Sequence, residues 1–347
     1  IDVPADTRKL KQIFEEIEPG SGARLDAFLK DAGEKYKLGI GEVVYKTSKS
    51  ALEFMQWDIL KGVLKHEFFR PLSKSVRARF KNKKLIQLLE FPVIFLGATS
   101  DKIPALYSLM NYADLELGTW YPMGGMYSVV KGMERLAYEK GVAFHHGTKV
   151  AKIVIEKNKV TGLLTDRGIF NADAVIAGAD YYHVENDLLP SEYRNYSEKY
   201  WNKRSMAPSA LLFYIGLKTK VDNLLHHNLF FDVDFDQHVA DIYKQPRWPD
   251  HPAMYISCSS KTDMDIAPPG HENIIVLIPV APGLPDNPEL REKYYDMAMK
   301  KLEQVSGQNI EEHVVYSRSY AYEDFKNDYN AFKGNAYGLA NTLLQTA

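Results

Sequence analysis

The 347-residue sequence predicts a mixed α/β (α+β) chain of two domains, on three observations. Apolar residues recur at helical spacing through much of the first 115 positions. A helix followed by short alternating strands occupies about 126–177. Runs rich in β-branched, aromatic and leucine residues fill much of 209–280. The length allows two domains, and the 45% apolar content allows a sizeable core.

In chain order, residues 7–36 read as two helices broken at Glu18-Pro19-Gly20-Ser21-Gly22, with Leu10, Ile13, Phe14 and Ile17 spaced three and four apart. Gly20-Ser21-Gly22 is half of a phosphate-binding loop, but it follows a helix end and not a buried strand, so an ordinary loop is expected. A helical region is expected from 47 to about 115. Within 61–84 stand Lys61, Lys65, Arg70, Lys74, Arg77, Arg79, Lys81, Lys83 and Lys84 against Glu67 alone, with Leu64, Phe68, Phe69, Leu72, Val76 and Phe80 threaded between them. A basic amphipathic helix of this kind can lie in a bilayer interface, gaining about 1 kcal/mol per Lys or Arg from anionic lipid. A solvated face over an ordinary core stripe accounts for the pattern equally well. Nucleic-acid binding is disfavoured, because the net charge is −2 and no recognised motif accompanies the run.

From Met126 to Lys140, Val129, Val130, Met133, Leu136 and Ala137 follow helical spacing, and Gly141 supplies the stop. Strands Val150–Glu156 and Lys159–Thr165 are joined by a Lys157-Asn158 turn, Asp166-Arg167-Gly168 leads into Ile169-Phe170, and Ala174–Ala177 reads as a buried strand. Residues 209–217, 228–232, 253–258 and 274–280 suggest a mixed or antiparallel sheet. Asn287 caps a helix with Pro288 at its first position, running to about Val305 and ended by Gly307.

Several chemistries are excluded by residue type and spacing. The longest apolar runs, Phe91–Ala98 and Ile274–Pro279, fall far short of the roughly 20 residues a bilayer span needs. Cys258 is the only cysteine, so the chain forms no intrachain disulfide framework and no multi-thiolate metal site, which suits a reducing cytosol. Adjacent residues on a strand point to opposite faces, so His226-His227 are not expected to share an ion, nor are His145-His146; no metal site is expected. Serine-hydrolase elbow, Walker A and zincin motifs are absent. The segment that stands out is Gly-Thr-Trp-Tyr-Pro-Met-Gly-Gly at 118–125. Gly124-Gly125, without side chains at the mouth of a helix, let backbone amides approach a ligand and present a positive helix end to an anion. An isolated pair of this kind would be no more than a tight turn.

That segment, with Val-Ile-Ala-Gly-Ala-Asp at 175–180, Leu-His-His-Asn-Leu-Phe-Phe-Asp at 225–232, Ile-Pro-Val-Ala-Pro-Gly at 278–283 and Phe-Lys-Gly-Asn-Ala-Tyr-Gly at 332–338, resembles the FAD-dependent desaturases of the bacterial phytoene desaturase family. The motifs stand in the family's order and span most of the chain. The resemblance implies a two-domain flavoprotein of the amine-oxidase type: a partial Rossmann-like cofactor domain and a mixed-sheet substrate domain with a helical cap. Residues 1–115 would form part of the substrate domain and a cap that touches the membrane, 116–182 the internal segment of the cofactor domain, 183–330 the substrate domain, and 331–347 the return to the cofactor domain. Tyr121, Pro122, Gly124, Gly125 and Val150 would face FAD.

The family's opening Gly-x-Gly-x-x-Gly and its closing Gly-rich flavin segment do not occur within 1–347, so these residues by themselves are expected to hold FAD weakly or not at all. The implied activity is introduction of double bonds into an apolar C40 carotenoid precursor, at a cytoplasmic, peripheral membrane location. A 3,4-desaturase of hydroxylated or monocyclic carotenoids is one alternative, and a non-catalytic apolar-lipid carrier is another of a different class. Phe213, Tyr214, Phe230, Phe231, Trp248 and Tyr255 are candidates for lining a substrate tunnel, although each would serve equally as core. Asp232, His227 and Asp324 are candidate proton acceptors, and Arg70, Lys74, Arg77, Arg79, Lys81, Lys83 and Lys84 are candidate membrane contacts.

Overall fold

The structure, a computed structural model, describes residues 1–45, 70–342 and 345. The chain forms two compact units, Ile1–Trp120 with Ala340–Ala347, and Tyr121–Leu339.

The described residues of the first unit are mainly helical. Helix α1 (Thr7–Ile17) starts where the Asp6 carboxylate accepts the Arg8 amide, and α2 (Ser21–Tyr36) follows after a tight turn. The Glu15 carboxylate in that turn takes the amides of Gly20 and Gly22 at 2.6 and 3.0 Å, so the apparent half phosphate loop is filled by the protein's own anion. The Gly20 amide above all holds the Glu15 carboxyl below its ordinary range. Helices α3 (Leu72–Arg79) and α4 (Lys83–Glu90) are separated at Phe80–Asn82, where Glu18 accepts the Lys81 and Asn82 amides at 2.8 and 2.7 Å. Helix α5 (Leu109–Leu115) completes this part. Leu10, Phe14, Leu25, Phe28, Leu72, Val76, Phe80, Leu85 and Leu89 form the core, with Phe14 and Phe28 meeting the Phe80 ring edge-on.

This packing corrects the interfacial-helix expectation for the described part of the basic stretch; residues 61–69 lie outside the described residues. Leu72, Val76 and Phe80 are fully buried, so the apolar stripe is spent on the core and is not available to lipid. Arg77 pairs with the buried Glu90 at 2.9 Å, Arg79 donates to the Ser75 carbonyl at 2.9 Å, and Arg70 is half-buried. Lys74, Lys81, Lys83 and Lys84 stand exposed.

The second unit opens with helix α6 (Tyr127–Glu139), stopped by Gly141 at φ 82°, and an antiparallel meander β1 (Val150–Glu156), β2 (Lys159–Thr165), β3 (Gly168–Asn171). Lys157 and Asn158 adopt φ 49° and 62°, the left-handed pair that a two-residue hairpin requires. The Ala174–Ala177 expectation fails: the segment is no strand, and Ile176 is 98% exposed. An apolar run becomes a strand only beside a partner, and among the described residues none pairs with it. On α6 the helical spacing holds, yet Val129, Val130, Met133 and Leu136 are exposed.

Next come α7 (Glu198–Lys203), β4 (Ser209–Leu217), β5 (His227–Phe230), α8 (Phe235–Tyr243), β6 (Met254–Ser257), β7 (Glu272–Val280), α9 (Pro288–Ser306), β8 (Val314–Tyr320) and α10 (Tyr322–Tyr329). The sheet runs in the order β5-β6-β7-β4-β8 with every pair antiparallel. Helix α9 begins where Asn287 accepts the Leu290 amide at 2.7 Å and ends at Gly307, φ 73°. Its Tyr294, Ala298, Met299 and Leu302 cover one face of the sheet, built from Leu211, Phe213, Ile215, Ile256, Ile274, Val276 and Ile278. Residues 121–182 and 183–330 lie within this one compact unit, and a hydrogen bond between Gly124 and Asp263 ties the two stretches together.

Candidate active site

The face of the five-stranded sheet turned away from α9 is set by register, because directly opposed residues share a face. Leu229 pairs with Tyr255, Tyr255 with Leu277, Leu277 with Leu212, and Leu212 with Tyr320, giving one row across all five strands. A second row runs His227, Ser257, Ile275, Tyr214, Arg318. At the usual strand spacing the rows are about 19 Å long. Leu212, Tyr214, Tyr255, Ile275 and Leu277 are half-buried, so the middle of this face is an apolar, partly open floor.

The tunnel candidates divide between the two faces. Tyr214 and Tyr255 lie on the open floor. Phe213 is 1% exposed and meets Tyr295 of α9, Phe230 packs on the same core, and Trp248 lies on Tyr294 and donates its ring N–H to the Pro285 carbonyl. Phe213 belongs to the core and the partly buried Phe230 and Trp248 pack against it, so none of the three stands on the open floor. Phe231 packs against Phe235 of α8. Leu212, Ile275 and Leu277 were not foreseen as floor residues, because β4 and β7 are apolar on both faces and their alternation is hidden.

The proton-acceptor candidates also separate. Lys301 of α9 holds Asp232 at 2.5 Å, and Arg291 holds Asp324 at 2.7 Å while Asp324 also accepts the Ala321 amide at the start of α10. Both carboxylates are occupied by structural cations. His227 instead stands on the floor with its Nδ1 2.6 Å from the Tyr255 hydroxyl. Its neighbour His226 lies just before β5, so the two rings come together at 4.2 Å and do not point apart as an all-strand geometry would dictate. Among the described residues no third ligand completes a metal site there or elsewhere. Burial, and then the neighbouring His227, lower the His226 pKa, which favours its neutral ring. Cys258 is buried and its thiol is pushed up to about 12, chiefly by desolvation, so it is not a nucleophile.

The glycine turn adjoins this corner of the floor. Tyr121 packs edge-on against His226 at 4.7 Å, and His226 Nδ1 lies 2.8 Å from the Thr262 hydroxyl. Gly124 and Gly125 both take φ 86°, in the left-handed region that disfavours any side chain. Their amides are already engaged: Gly124 donates to the Asp263 carboxylate at 2.6 Å and Gly125 to the Pro122 carbonyl at 3.1 Å. The expectation that these amides receive a ligand anion is therefore corrected. What the turn offers outward is two successive residues without side chains. A Cβ on Gly125 would have the Tyr121 hydroxyl 3.8 Å away as its nearest contact. Such a bare surface suits a flat ring system such as the isoalloxazine better than a pyrophosphate, which would need free donors. Val150 pairs with Thr165 at the head of β1, the outer strand of the meander, and packs on the Ile153–Val184–Leu188 cluster.

Residues 6–346 match the family described as flavin containing amine oxidoreductase. The chain is 36% identical over its full length to a carotenoid 3,4-desaturase of Haloarcula japonica, of which it spans 70%. It is 28% identical to a zeta-carotene-forming phytoene desaturase of Myxococcus xanthus, with 96% of this chain and 64% of that protein aligned. A 4,4'-diapophytoene desaturase of Staphylococcus haemolyticus is 30% identical over all of this chain and 71% of its own length. Among solved structures, a redesigned putrescine oxidase matches 94% of this chain and 65% of its own at a TM-score of 0.54 and 10% identity. An oxidoreductase from Methanosarcina mazei matches 72% of this chain and 56% of its own at 0.50 and 21% identity. At these identities the structures speak for the fold alone.

Proposed function

The chain belongs to the flavin containing amine oxidoreductase family and to its carotenoid desaturases, and on that premise we propose that the whole protein introduces carbon–carbon double bonds into a C40 polyene. FAD is the cofactor. Bound flavin would supply the two-electron acceptor for a hydride leaving one carbon. Tyr121, Pro122, Gly124 and Gly125 would hold it, with the Val150 backbone. The chain's own contribution is a floor that orients an apolar substrate and a site for the second hydrogen, which leaves the adjacent carbon as a proton.

The observation that carries this is the floor. Its Leu229–Tyr255–Leu277–Leu212 row meets the His227–Tyr255 hydrogen bond at the corner next to the glycine turn. A hydrocarbon laid along the row would be desolvated over much of its length, which is the main interaction such a substrate can make. The Tyr255 hydroxyl can take the proton while donating its own to His227 Nδ1, and the exposed His227 passes it to water.

The floor is tested by Leu277→Asp. A carboxylate in the middle of the row should lower carotenoid turnover about a hundredfold or more, with bound flavin near wild type and a melting temperature lowered but well above that of the assay. Undiminished turnover in that variant would remove the floor from the site.

A second reading, 3,4-desaturation of a more advanced carotenoid, is favoured by the higher identity to the Haloarcula protein. An apolar floor accepts either chain, and discrimination between them needs polar contacts at the substrate's ends.

We also propose that the exposed Lys74, Lys81, Lys83 and Lys84 attract anionic membrane, where the substrate resides. No helix among the described residues is long and apolar enough to cross a bilayer, and with the apolar stripe buried the attraction would be electrostatic. Replacing all four by Glu should weaken co-sedimentation with anionic liposomes at least about tenfold at low salt, and added salt should weaken the wild type towards the same level. Equal binding by the two proteins would return these lysines to plain solvation.

A further inference from the structure

Asp263 is a carboxylate 1% exposed to solvent, and among the described residues its carboxylate is met by backbone amides and not by a cationic side chain. Burying an unpaired carboxylate is costly unless strong donors replace its water. The donors here are backbone amides: Gly124 gives its N–H to Oδ2 at 2.6 Å, and Asp265 gives its own to Oδ1 at 3.2 Å. Asp263 is itself anchored, its N–H donating to the Ser259 carbonyl at the turn after β6. The neighbouring Thr262 hydroxyl meets His226, which in turn carries the Tyr121 ring. The connection between β6 and β7 therefore grips the 121–125 turn at both ends, at Tyr121 through His226 and at Gly124 through Asp263. Those two strands contribute Tyr255, Ser257, Ile275 and Leu277 to the floor.

We propose that Asp263 is a positioning residue for the flavin. Its carboxylate fixes the Gly124 amide and so holds the bare glycine surface at the depth and angle at which the ring system meets it, in register with the substrate floor. This rests on the glycine turn facing the flavin. Gly125 closes the turn on the Pro122 carbonyl and Ser128 on the Gly125 carbonyl, whereas the amide of the left-handed Gly124 is tied to the β6–β7 connection only through Asp263. Its effect is transmitted through Gly124.

The test uses the complete holoenzyme and its apoprotein, with FAD as the probe. Asp263→Ala removes the bonds from both Gly124 and Asp265; it should bind FAD about tenfold or more weakly, the worth of the charged Gly124 bond, and should change the shape of the visible flavin band. The apoprotein should melt within a few degrees of wild type. Asp263→Asn, which keeps an accepting oxygen at the same reach, should recover most of the affinity and the wild-type band. Should the alanine variant not fold, Asp263→Ser supplies the comparison, because its hydroxyl stops short of the Gly124 amide. Wild-type affinity and band shape in Asp263→Ala would overturn the proposal. So would losses of FAD affinity that follow apoprotein melting temperature across the variants, with no separate recovery by Asn. Failure of the wild-type protein to bind FAD at all would strike the cofactor assignment of the turn instead.

Discussion

Gly125→Val is expected to leave the complete enzyme almost without flavin after gel filtration, and with its desaturation lost in proportion. Two effects combine. At φ 86° an L residue puts its Cβ against the local backbone at a cost of about 1–2 kcal/mol, and a β-branched residue is the hardest case. Inside the protein there is room, since the nearest atom to the added Cβ is the Tyr121 hydroxyl at 3.8 Å. The branched side chain would therefore project outward, over the surface we assign to the ring. Gly124→Val should behave similarly with more harm to folding, because its Cβ already meets Ser128 Oγ at 3.0 Å. Gly132→Ala is the matched control. It sits in α6 with nothing within 4 Å of the added atom, and should be neutral or slightly stabilising. The readout is visible flavin absorbance per polypeptide. Full flavin occupancy in Gly125→Val would place the cofactor away from this turn.

The parts of the fold that were legible are those with local punctuation. Asn287, Pro288 and Gly307 bracket α9 without reference to the rest of the chain, and Lys157-Asn158 marks its hairpin because only a two-residue left-handed turn fits there. Strand β8 was missed because Val-Val-Tyr-Ser-Arg-Ser-Tyr is half polar, as suits an edge strand, and its place is fixed only by pairing with β4. Hydrophobicity alone predicts a strand at Ala174–Ala177 but does not supply a partner. The candidate site divides along the same line. The glycine turn was visible as a motif, while the use of its amides was not: the Gly124 donor goes to a carboxylate 139 positions away. Likewise Phe213 and Tyr214 are adjacent and equally aromatic, and only the packing of α9 on one side of the sheet tells core from floor.

Carotenoid desaturation itself is tested most directly by anaerobic addition of a C40 substrate in membranes to the oxidised holoenzyme. Phytoene, the least desaturated candidate, should bleach the flavin band. Its own absorbance should move to the red in step, one new double bond for each flavin reduced, because two hydrogens leave per bond formed. Bleaching by a hydroxylated carotenoid but not by phytoene would keep the desaturase assignment and move the substrate to the 3,4-desaturase class. A holoenzyme that holds FAD firmly, is bleached by neither carotenoid and is bleached by a simple amine would contradict the account.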